Sequence, residues 1–106
     1  MTELSRLVPV LQHFPHHSLA DAGAAVRAEL ARKDAGAGLA PGTPIAIGVG
    51  SRGVANIAMI VRAAVAHFRD RGLKPFIVPA MGSHGAATAE GQARVLAHYG
   101  ITEATM

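Results

Sequence analysis

Two short loops hold the residues of this sequence best suited to chemistry: Gly50-Ser51-Arg52-Gly53 and Gly82-Ser83-His84-Gly85. An arginine guanidinium grips a carboxylate or phosphate through two parallel hydrogen bonds. A histidine near its ordinary pKa gives and takes protons at neutral pH. Glycines let a ligand come close to the backbone. Together these residue types suit a small anionic substrate with a proton to move. The structural alternative is plain: glycine-rich strand-to-helix loops also occur in α/β domains for steric reasons alone, and a loop Arg or His can simply be solvated.

The elements around the loops decide whether the two can meet. Ile45-Ala46-Ile47-Gly48-Val49 reads as a short buried strand after the turn Pro41-Gly42-Thr43-Pro44. It runs into the first loop and then into a helix over about 55–71, with an apolar stripe from Ile57 to Phe68. Gly72 suits the C′ position, with Leu73 packing back on Phe68. A second strand, Pro75–Pro79, empties into the second loop. Thr88 then caps a third helix whose face is Gln92, Val95, Leu96 and Tyr99, closed by Gly100 with Ile101 against Leu96. Upstream, Ser18 with Asp21 predicts a helix start, and residues 1–17 read as irregular or weakly extended.

Strand–helix–strand alternation predicts an α/β fold with a parallel pair, the strands buried on both faces and joined by a right-handed crossover. Adjacent parallel strands put both loops on one edge of the sheet, where ligands of such sheets bind. Arg52 and His84 are therefore expected to face one pocket. Two strands make a small sheet, so the pattern predicts a fold only partly present: a lead and helix over 1–40, then the first part of an α/β domain over 41–106. The expectation is a fragment, a truncated product or one subunit of an assembly, with apolar surface left for self-association.

Composition excludes several function classes. The 106 residues contain no Cys, so thiolate chemistry and Cys-ligated metals are ruled out. The net charge of +3 is spread along the chain with no basic run and no interleaved aromatics, which argues against nucleic-acid binding. No stretch reaches the ~20 apolar residues of a membrane span, and the N-terminal stretch lacks the pattern of a signal peptide, so a cytoplasmic location is expected. Gly48-Val49-Gly50-Ser51-Arg52-Gly53 fits a dinucleotide-binding fingerprint, but the second strand ends in Pro79-Ala80-Met81 without the acidic residue such sites use. His13, His16 and His17 form a cluster with no neighbouring carboxylate and read as surface residues.

The segment from about Pro41 to Glu103, and above all PAMGSHG followed by ATAEGQ, resembles the N-terminal domain of the nickel-pincer-nucleotide-dependent lactate racemase family. The resemblance implies a Rossmann-like parallel sheet, closed over a cleft by a second domain. It implies an isomerase, a racemase or epimerase, that transfers hydride from a 2-hydroxy acid to the nickel-pincer nucleotide while two histidines exchange the hydroxyl proton. His84 matches one of those histidines. Arg52 matches an arginine that holds cofactor or substrate, and Ser51 and Gly53 on either side of it, with Gly82 and Ser83 ahead of His84, are the expected cofactor contacts. The aspartate of the family's first loop is missing, since Val49 or Gly50 stands in its place, and Gly85 stands where an arginine is common; both departures imply a substrate other than lactate. The second histidine, the tethering lysine and the nickel ligand are expected beyond Met106, so the chain alone is expected to be inactive. The alternative reading is a small anion- or nucleotide-binding module without catalysis.

Overall fold

The computed structural model describes residues 7–106. Its elements are α1 (Ala22–Arg32), β1 (Pro44–Val49), α2 (Ile57–Asp70), β2 (Lys74–Pro79), a 3-10 turn (His84–Ala87) and α3 (Ala89–His98). The expected mixed α/β order is present, and β1 and β2 form a two-stranded parallel sheet in the register Pro44↔Lys74 through Val49↔Pro79. Residues 7–20 precede α1 without regular structure; the expectation for residues 1–6 lies outside the described residues.

Local signals act where the sequence places them, with one shift. Asp21, not Ser18, caps α1: its carboxylate accepts the Ala24 N–H at 2.8 Å. The helices α2 and α3 end in the same way. After α2, Gly72 N donates to Arg69 O at 2.8 Å and Leu73 N to Phe68 O at 3.0 Å. After α3, Gly100 N donates to Ala97 O at 2.9 Å and Ile101 N to Leu96 O at 3.0 Å. Both are Schellman closures, with a glycine at positive φ (74° and 79°) in the C′ position. Each turns the chain so that the next apolar residue, Leu73 or Ile101, is buried. Burying each of those side chains stabilises by about 1.5–3 kcal/mol.

The core lies on one face of the sheet. Val49, Val61, Val65, Leu96 and Ile101 are buried together, with Ile47, Ile77 and Met81 packed against them. This differs from the expected strands buried on both sides: Ala46, Gly48, Phe76 and Val78 point to the other face and stay exposed. The reason is that α2 and α3 share one side of the sheet while α1 packs chiefly against α2.

The prolines of the sheet sit where they cost least. Lys74 N donates to Thr43 O at 2.9 Å and Ala80 N to Val49 O at 2.8 Å. Donors alternate along a parallel ladder, so the even-numbered residues of β2 face β1, and Pro75, Ile77 and Pro79 face the free edge. The same alternation turns Pro44 away from the ladder. No ladder bond is lost to a missing N–H, and the outer edge of β2 is left with one donor, Ile77 N–H, beside three carbonyls.

Candidate functional site

The in-register pairing brings the two carboxyl ends of the strands together, and with them the loops. Ser51, buried at 9% exposure, lies two residues after Val49, the core residue that ends β1. Its hydroxyl hydrogen-bonds with Nδ1 of the half-buried His84 across 33 residues of sequence. The loops therefore do converge, but through Ser51. Arg52 is exposed and makes no hydrogen bond or ion pair with a described residue. Gly53 in the same loop and Gly82 and Ser83 in the second loop are exposed as well, the two glycines at φ of 81° and 60°.

His84 is held by backbone as well as by Ser51. Its N–H donates to Met81 O at 3.2 Å. Gln92, one turn into α3, donates from Nε2 to Gly82 O at 2.8 Å and to His84 O at 3.2 Å. Gln92 reads in the sequence as part of the helix's packing face; the structure makes it the clamp of the histidine loop. Thr88 caps α3 through Gly91 N at 3.0 Å and donates to Gly85 O at 3.1 Å. The turn is sharp because Gly85, Ala86 and Ala87 all sit at positive φ (63°, 56° and 55°). It lies so close to α3 that a Cβ at Gly91 would stand 1.8 Å from Gly85 O. Only glycine fits there, and the sequence signal for it is the Gly85–Gly91 pair spanning a helix N-terminus.

The chemistry of a histidine bonded through Nδ1 to a hydroxyl differs from that of a histidine bonded to a carboxylate. A serine hydroxyl both donates and accepts. It can donate to an unprotonated Nδ1, leaving a proton on Nε2, or accept from a protonated Nδ1 when Nε2 is free or when the ring is charged. The partner thus follows the imidazole through a proton-transfer cycle without imposing a charge, and Nε2 makes no hydrogen bond to a described residue. A serine nucleophile is a poorer reading: Ser51 is buried, and no described carboxylate orients His84 from the far side.

Metal chemistry finds no ligand set here. Among the described residues no three His, Cys, Asp or Glu side chains lie together in a way that could hold a metal ion. His67 is occupied structurally, with Nε2 3.0 Å from Ala35 O and its ring edge-on to Phe68. His98 stacks edge-on against Tyr99. No helix among the described residues is long and apolar enough to cross a membrane.

Comparison with models of protein families, with curated proteins and with solved structures yields no match.

Proposed function

We propose that this chain supplies the proton-transfer half of a site for a small 2-hydroxy acid, as the N-terminal part of a racemase or epimerase resembling the lactate racemase family. The observation that carries the reading is the Ser51–His84 contact, which fixes a histidine between two glycine-rich loops at the carboxyl ends of two parallel strands. In this reading Nε2 of His84 takes the proton of the substrate hydroxyl and returns it. Arg52, exposed and without a partner among the described residues, grips the substrate carboxylate or a cofactor phosphate. Gly53, Gly82 and Ser83 let that anion reach the backbone. The described residues do not fit the metal end of a nickel-pincer nucleotide, because they hold no ligand set. Nickel ligands, and the hydride chemistry that the cofactor would supply, belong in this proposal to residues outside those described, and the chain alone is inactive.

The test is an NMR titration of the full chain with glycolate, malate and mandelate, 2-hydroxy acids other than lactate, following the His84 imidazole. Millimolar binding that moves the His84 ring signals, and that is lost in Arg52→Ala, is the expected result. Ring signals that stay fixed while ligand is added would sink the reading. Inorganic phosphate bound equally by the wild-type chain and by His84→Ala, with no response to hydroxy acids, would favour an anion-binding module without catalysis.

A further inference from the structure

The chain exposes far more surface than its mass requires. Its accessible area is 8104 Å² for 10.9 kDa, where a compact monomer of that mass exposes about 5,600 Å². The radius of gyration is 18.9 Å, against about 13 Å for a compact chain of this length. Two features contribute to the surplus of roughly 2,500 Å². One is the arm ahead of α1, where Leu7, Val8, Val10, Leu11, Phe14 and Leu19 are each 66–94% exposed. The other is a groove of about 880 Å³ along the free edge of β2, walled by Val65, Phe76, Ile77, Val78, Leu96 and Ile101.

We propose that the groove along β2 receives the arm, residues 7–14, of a second copy of this chain, the two copies exchanging arms about a two-fold axis. Three observations favour this occupant. A stable dimer needs about 800 Å² buried per partner, well within the surplus each copy carries. The groove edge presents three outward carbonyls, of Pro75, Ile77 and Pro79, but a single N–H. The arm offers a matching row of donors: with the N–H groups of Val8, Val10 and Gln12 turned to the groove, Pro9 faces away and loses nothing. The arm over 7–14 carries no Asp, Glu, Lys or Arg to desolvate in an apolar groove. The fourteen residues from Leu7 to Ala20 reach about 46 Å when extended, enough to cross to a neighbour. The obvious rival, antiparallel pairing of two β2 edges, is blocked by the same prolines: centred on Ile77 it would set Pro75 against Pro79 and keep only the Ile77 bonds.

Light scattering on the full chain at tens of micromolar should give the mass of a dimer. Val10→Glu with Leu11→Glu, at two side chains 85% and 83% exposed in the single chain, should raise the dimer dissociation constant by about 100-fold or more and leave the circular dichroism unchanged. A wild-type monomer, or a dimer that survives the double substitution, overturns the proposal. The absence of cysteine allows a second reading of the same contact. Leu11→Cys and Ala93→Cys chains, mixed and treated with a short bismaleimide, should link arm to groove across copies. Linkage of Leu11→Cys chains only to one another, or no linkage, overturns it.

Discussion

Replacing Gly91 by alanine tests whether the close approach of the histidine loop to α3 is what shapes the site. In an ordinary helix the change stabilises, by about 0.5–1 kcal/mol, because alanine loses less backbone freedom than glycine. Here the new methyl would stand 1.8 Å from Gly85 O, 2.7 Å from Gly85 C and 2.7 Å from the capping Thr88 Oγ1. Two of those atoms are backbone and cannot swing aside. Gly85 in turn is pinned, since a Cβ on it would lie 2.4 Å from Gly91 C. Overpacking of this kind costs about 1–3 kcal/mol, and displacing the Thr88 cap about 1 kcal/mol more. The net expectation is a loss of about 1–3 kcal/mol, after the helix gain is subtracted. That is a fall in melting temperature of roughly 4–8 °C per kcal/mol. A urea or thermal melt reads the loss, and the His84 imidazole signals read the displaced loop. Gly48→Ala is the control for added volume alone, because its methyl meets nothing nearer than Ala80 Cβ at 3.6 Å, an ordinary contact. A Gly91→Ala chain as stable as the wild type, with His84 signals unmoved, would refute the reasoning.

Ala86→Gly should stabilise the chain by about 0.5–1 kcal/mol, because alanine at φ 56° carries a left-handed penalty that glycine escapes; a higher urea midpoint checks it. Ser51→Ala should cost about 1 kcal/mol, the net worth of a hydrogen bond with a part-buried partner, and should change the His84 tautomer ratio read from imidazole nitrogen shifts. The Arg32 guanidinium, bonded through Nε to Glu29 at 2.8 Å, holds the Glu29 carboxyl below its ordinary value of 4.5. Its folded pKa is depressed, so the pair's small contribution is present above the ordinary carboxylate value and is lost as pH falls through the lower folded one. Helix content followed by circular dichroism through acid should lose this increment in wild type and not in Glu29→Gln.

Much of the architecture was legible in the chain because its causes are local. The glycines that end α2 and α3, the threonine cap of α3 and the turn at Pro41–Pro44 each act within one helical turn, so residue type and order suffice. The alternation of strand and helix implied a parallel pair, and with it that the two glycine-rich loops share an edge. What tertiary structure decided is which side chains meet across that edge. Arg52 and Ser51 are neighbours, and only the direction of the chain leaving β1 determines that Ser51 turns inward to His84 while Arg52 turns to solvent. The role of Gln92 is of the same kind: its spacing fits a packing face, yet its amide reaches two carbonyls of a loop that folds back over α3. The one-sided burial of the sheet likewise depends on both later helices choosing one face, a non-local outcome. Periodicity states which residues can share a face; the packing of distant segments states which face is covered, and so why Phe76 and the arm are left in water.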